Sequence, residues 1–265
     1  MQDDFNQKII DLWKKHRNSG VFFGRIPHFY GTFKQGGLLI IGANPSYIDT
    51  KVQFNCLDLW AEKQNPFANK DELDRFYTDK GCFTCDIAKA VEVQEWFVRN
   101  YSYFRKFKGV SNACGLSGLW QHIDLFPVRC TSLAELKKLL RVGSKKEESA
   151  FVSDSVELAK NIIRLIEPDI ILVENAFAAM TLRLRYPELF PDLVKIDLES
   201  GCHIGRLDVS GVCRSVPVFY SSMLTGQRAL DVGSLVRLQW CMAKSRNHIK
   251  AGWTPELAAV DSNED

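Results

Sequence analysis

A chain of 265 residues with 46% apolar and 25% charged residues has room for one sizeable buried core and not for two comfortable ones. The net charge of +2 and a pI near 8.1 exclude a histone-like polycation, so any grip on nucleic acid has to come from local basic patches. No apolar run reaches the roughly 18 to 20 residues of a membrane span, and the acidic start Met1-Gln2-Asp3-Asp4 has no signal-peptide core. A cytoplasmic protein without membrane contact is expected. Its eight cysteines (Cys56, Cys82, Cys85, Cys114, Cys130, Cys202, Cys213 and Cys241) are scattered, as buried thiols in a reducing compartment would be.

Residues 4–17 carry apolar side chains at 5, 9, 10, 12 and 13, which predicts an amphipathic helix. Gly36-Gly37 then opens an apolar run, 38–41, that ends in Gly42-Ala43-Asn44-Pro45-Ser46, a strand entering a tight loop. Residues 50–85 read as loop with short helices, and 86–108 as a long helix broken near Asn100. A second strand lies in 119–128, closed by Pro127. Helix 132–141 has Ser132 as its cap and Glu135 three residues on, and helix 153–166 stops at Glu167-Pro168. A third strand (169–175) leads into a helix (176–185), and a fourth (216–222) into a loop and a final long helix within 223–243. Strands alternating with helices argue an α/β fold, a single domain with a four-stranded parallel sheet flanked by helices. That domain spans 1–252, with an acidic tail at 253–265. In such sheets ligands bind beyond the carboxyl ends of the strands.

The segment Gly42-Ala43-Asn44-Pro45-Ser46 resembles the first motif of the uracil-DNA glycosylase superfamily. Its Asn form is similar to the branch of mismatch-specific uracil glycosylase and thymine-DNA glycosylase. A late family motif follows the last strand. Here that position reads Tyr220-Ser221-Ser222-Met223-Leu224-Thr225-Gly226-Gln227-Arg228, with Ser222, Leu224, Thr225 and Arg228 at the family's spacing. Between the two stands Asp124, where the family places a base-reading Asn. The resemblance covers about residues 36–245. It departs at Tyr220, which replaces His or Asn, at Ser221, which replaces Pro, and at Asp124 itself.

The resemblance implies hydrolysis of an N-glycosidic bond through an oxocarbenium-like path. Asn44 would orient a water through its amide oxygen, or else only stabilise its own turn. Backbone N–H groups around Gly42, Ala43 and Ser46 would hold a base oxygen as an oxyanion hole does, Pro45 having no N–H to offer. Phe54 is the candidate to stack on the extruded base, with Trp60 as rival and an ordinary core Phe as the alternative. Asp124 suits a cytosine edge, since a carboxylate accepts from N4, and a protonated one would also donate to N3. The plainer alternative pairs Asp124 with Arg129. Small Ser46 leaves space at C5, where a relative that rejects 5-substituted pyrimidines carries Tyr.

Leu224 would wedge into the vacated stack or belong to the core, and Ser222 and Arg228 would hold phosphates. Tyr220 either supports the site by a hydrogen bond or packs. Basic residues at 105, 106 and 108 and at 137, 138, 141, 145 and 146 either track DNA or form solvated helix faces. Cys82 and Cys85, with Cys114 and Cys130, have the family's iron–sulfur composition but the wrong order relative to the first motif, so no metal and no cofactor are expected.

The expected protein is a monomeric, monofunctional DNA glycosylase, since no matched position offers a Schiff-base Lys. Its expected substrate is a 5-modified cytosine. The picture resembles bacterial phage-defence glycosylases that remove glucosylated hydroxymethylcytosine. Three alternatives stand beside it: a repair glycosylase for uracil or mismatched bases, an inert DNA-binding module of the same fold, and a nucleoside N-glycosidase.

Overall fold

The computed structural model describes residues 2–16, 28–45, 88, 91–92, 95, 98–99, 102–128, 130, 132–141, 149–192, 202–225 and 229–250. The chain forms two compact units, one of Met1–Gln35, Ile41–Arg105 and Gln121–Ile166, the other of Gly36–Ile40, Lys106–Trp120 and Glu167–Asp265. No helix among the described residues is long and apolar enough to cross a membrane.

Strands β1 (Leu38–Gly42), β2 (Trp120–Asp124), β3 (Ile170–Val173), β4 (His203–Val209) and β5 (Val212–Tyr220) form one sheet in the order β2-β1-β3-β5-β4. β3 and β5 run parallel, and β4 runs antiparallel to β5. The α/β reading holds, but the sheet is mixed and five-stranded where four parallel strands were expected. The missed strand is half-buried: His203, Gly205 and Leu207 are buried while Arg206 and Asp208 are exposed. Such a period-two pattern has no continuous apolar run to announce it. Ser210 and Gly211, at φ 53° and 84°, join the paired residues Val209 and Val212. A two-residue hairpin turn with positive φ at both centres matches the strand twist, so β5 begins at Val212 and not near 216.

In the first unit, α1 (Gln2–His16) buries Phe5, Ile9, Ile10, Leu12 and Trp13, the apolar face its spacing dictates. It packs on α4 (Ala150–Ile166), where Phe151, Val152, Val156 and Ala159 are buried in turn. Each of the larger side chains contributes about 1.5–3 kcal/mol by leaving water. At the rim of this contact Lys15 and His16 reach Asp154 at 2.8 and 2.6 Å. Partial burial pulls the Asp154 carboxyl up, but those hydrogen bonds outweigh it and hold the group below the usual carboxylate range. Helix α3 (Leu133–Leu140) starts as expected, the Ser132 hydroxyl accepting from the Glu135 N–H at 3.2 Å.

A 3-10 turn at Ser102–Phe104, in the first unit, leads into α2 (Arg105–Ala113), which belongs to the second unit from Lys106 onward. The helical stretch expected over 86–108 is thus interrupted close to Asn100 and continues five residues further. Asn175 caps α5 (Ala176–Arg185), accepting from the N–H groups of Phe177 and Ala178 at 2.9 and 3.3 Å. A final helix, α6 (Val232–Lys250), packs against β5.

Candidate active site

The loop leaving β1 and the loop leaving β2 are bound side by side in the first unit. Leu125 and Phe126 donate their N–H groups to the carbonyls of Gly42 and Ala43 at 3.0 and 2.9 Å. Further along, the Cys130 N–H donates to the Pro45 carbonyl at 3.0 Å. The two segments pair with residue numbers rising together, so they leave the sheet in the same direction. Asn44 and Asp124, distant in sequence, are thereby set at the tips of adjacent strands.

Asn44 is half-buried, and its Nδ2 donates to the Cys130 carbonyl at 2.6 Å and to the Pro45 carbonyl at 3.1 Å. Two carbonyls facing one end of the amide fix which end is nitrogen. The opposite end, Oδ1, accepts no hydrogen bond among the described residues. One half of the amide thus stabilises the turn, and the other is an oriented acceptor that meets no donor among the described residues.

Asp124 is 6% exposed, and the space its carboxylate occupies exists because residue 42 is glycine. A Cβ on Gly42 would fall 2.5 Å from Asp124 Oδ1 and 3.0 Å from His122 Nε2. His122 and Asp124 are two apart on one strand, so they share a face, and Nε2 lies 3.8 Å from Oδ1. That separation would make an ion pair only with a protonated imidazole. Burial instead lowers the His122 pKa to about 4, so at neutral pH the ring is uncharged and packs edge-on to Phe104.

This burial has a consequence for stability. Unfolded, the imidazole titrates near 6.5; folded, near 4. The fold favours the neutral ring, so the contribution is complete above pH 6.5 and is lost as pH falls from 6.5 through 4, on the order of 3 kcal/mol in all. Urea midpoints measured from pH 7.5 to 4 should fall across that window, and His122→Gln should flatten the fall. An identical slope in the variant would contradict a buried neutral ring.

The outer flank of β2 is an edge of the sheet, and the segment from His28 to Lys34 covers it. The His28 N–H donates to the Pro127 carbonyl at 3.0 Å, and the Gln121 side-chain amide exchanges hydrogen bonds with the Lys34 N–H and carbonyl at 2.8 and 2.5 Å. Between these, the Tyr30 hydroxyl donates to the Asp124 carbonyl and accepts from the Asp124 N–H, both at 3.0 Å.

The late motif lies in the second unit. Leu224 is fully buried and its N–H donates to Glu174 Oε2 at 3.3 Å, which fits the core alternative; insertion into DNA would require this loop to open. Ser222 is exposed and Thr225 half-buried, and the hydroxyls of Ser221 and Thr225 are buried atoms without a partner among the described residues. Tyr220 donates its hydroxyl to the Pro191 carbonyl at 3.1 Å and meets His203 edge-on. Burial pushes its phenol well above the ordinary range, beyond what nearby Arg183 offsets, so it is a neutral donor committed to its own unit.

Ser46, Phe54, Trp60, Cys82, Cys85, Arg129, Lys145, Lys146 and Arg228 lie outside the described residues. Cys130 donates its thiol to the Ser132 carbonyl at 3.3 Å, and burial, opposed by Arg246, pushes the Cys114 thiol up to about 11. Lys137, Lys138 and Arg141 are exposed along and just past α3, and Arg105 and Lys108 are exposed on α2.

Three side chains escaped the sequence reading. His122 was legible, two positions before Asp124 in a strand. Glu174, 2% exposed, was legible as an acid placed directly after an all-apolar strand. Tyr30 gave no signal, lying in a segment without helix or strand period. No protein-family model matches this sequence, and no curated protein matches it, so the chemistry of the site has to be read from these side chains themselves.

Proposed function

We propose that this protein is a monofunctional DNA glycosylase that flips out a 5-modified cytosine, such as glucosylated hydroxymethylcytosine of phage DNA, and hydrolyses its glycosidic bond. The observation that carries this reading is the pairing of the two strand-end loops, which sets an oriented amide oxygen at Asn44 near a buried acid at Asp124. Asn44 Oδ1 holds the attacking water toward the anomeric carbon. Asp124 accepts from the exocyclic amine, a contact that O4 of uracil cannot return.

DNA is the proposed partner. Helix α3 begins three residues past Cys130, whose backbone holds Asn44 and Pro45, and it presents Lys137, Lys138 and Arg141 to solvent. Charges so placed suit the phosphates flanking a flipped nucleotide. In the first unit Phe54 is proposed as the stacking platform; in the second, Ser222, Thr225 and Arg228 are proposed as phosphate contacts and Leu224 as a wedge once its loop opens.

The test is incubation with phage DNAs carrying different cytosine modifications, with uracil-containing DNA alongside, followed by detection of abasic sites. Abasic sites confined to modified-cytosine DNA are expected. Abasic sites in uracil DNA alone would establish the repair alternative, and DNA binding with no base released would establish the inert module.

A further inference from the structure

We propose that Tyr30 is a positioning residue for Asp124, acting through the backbone of β2; this rests on the glycosylase reading of the site. Leu125 turns its N–H toward β1, where Gly42 accepts it. In an extended chain, successive residues point their polar groups to opposite sides, so Asp124 turns both its N–H and its carbonyl outward from the sheet. Among the described residues no further strand lies on that side. One phenolic oxygen takes the place of the missing strand, donating to the carbonyl and accepting from the N–H, each at 3.0 Å.

The clamp is itself anchored. Asn6, 8% exposed on α1, donates Nδ2 to the Tyr30 carbonyl at 2.9 Å and accepts the Tyr30 N–H on Oδ1 at 3.0 Å. The Tyr30 ring is 5% exposed, edge-on to His28 at 4.7 Å and tilted against Phe33 at 5.5 Å. A chain of buried hydrogen bonds thus runs from α1 through Tyr30 to the backbone of the residue that bears the acid.

Its placement separates it from ordinary edge protection. The neighbouring contact, between Gln121 and Lys34, is solvent-exposed; the one at Asp124 is buried, where hydrogen bonds are stiffer and unpaired groups cost more. The direction of a strand side chain follows from its backbone dihedrals. With Gly42 leaving only the space of a missing side chain for Asp124 Oδ1, a backbone shift at Asp124 moves the carboxylate out of that space. Misplacing a reacting group by about 1 Å costs on the order of 100-fold in rate.

The experiment compares wild type with Tyr30→Phe, which keeps the ring and removes the hydroxyl, and with Asn6→Ala. For Tyr30→Phe, kcat on modified-cytosine DNA should fall about 10- to 100-fold, with KM nearly unchanged. Asn6→Ala should fall in the same direction by less. Amide hydrogen exchange is measured on the same proteins. In Tyr30→Phe the Asp124 amide should exchange about tenfold faster, while the Leu125 amide, bonded to Gly42, keeps its protection. Unchanged kcat, or equal loss of protection at Asp124 and Leu125, would overturn the proposal in favour of a merely structural tyrosine. If the wild type excises no base, the glycosylase reading falls by itself. The exchange pair then still decides whether Tyr30 holds Asp124 locally.

Discussion

Replacing Asp124 with Asn is expected to exchange one substrate for another: excision of modified cytosine should fall on the order of a thousandfold or more, and excision of uracil should appear. The substitution is nearly isosteric, so the side chain still fits the space left by Gly42, and the backbone N–H and carbonyl of residue 124 remain held by Tyr30. What changes is the hydrogen-bond code. A carboxylate only accepts, whereas an amide offers one donor and one acceptor, the complement of uracil's O4 and N3–H. A buried site built for one pattern rejects the other strongly because it leaves a polar group unpaired. Thermal melting should change little, which separates a change of specificity from a damaged fold. Single-turnover excision on matched duplexes reads the result. A variant that loses cytosine excision without gaining uracil would limit Asp124 to general electrostatics, and one that keeps its original preference would remove Asp124 from base reading.

How far the site could be read from the chain follows from the kind of signal each part carries. Leu38–Ile41 and Ile170–Val173 are short apolar runs that have to be buried on both faces, and they appear as β1 and β3. Ser132 and Asn175 sit where helix N-termini need acceptors, and they cap α3 and α5. Gly42, Asn44 and Asp124 were legible because a strand end followed by special residues is a local pattern. By contrast, β4 alternates polar and apolar residues and was lost to a search for continuous apolarity. Tyr30 was beyond local reading, since its role depends on β2 standing at the end of the strand order, a property of the sheet and not of the segment around residue 30. The burial of Leu224 is of the same kind: it sits fully buried with its N–H on Glu174, 50 residues away in the chain, which the motif around it does not announce.

Asn44→Ala is expected to reduce excision by about 10²- to 10⁴-fold, the range for loss of a positioned acid–base or water-orienting group, while DNA affinity changes only a few-fold. The geometry makes the experiment demanding, because the same side chain does two things. Its Nδ2 ties the loop after β1 to Cys130, and losing that tie should lower stability by about 1 kcal/mol. Its Oδ1 end is the acceptor assigned to water. Asn44→Asp divides the two roles. It retains an oxygen at the outer end but turns a second oxygen toward the Cys130 carbonyl, so the tie becomes a repulsion. If water orientation dominates, the Asp variant should keep more activity than the Ala variant despite being less stable. If the side chain serves only the turn, activity should follow stability, with the Ala variant the more active of the two. The ranking of the two variants in single-turnover rate, set against their ranking in thermal midpoint, therefore decides whether Asn44 acts on the reaction or only on its own loop.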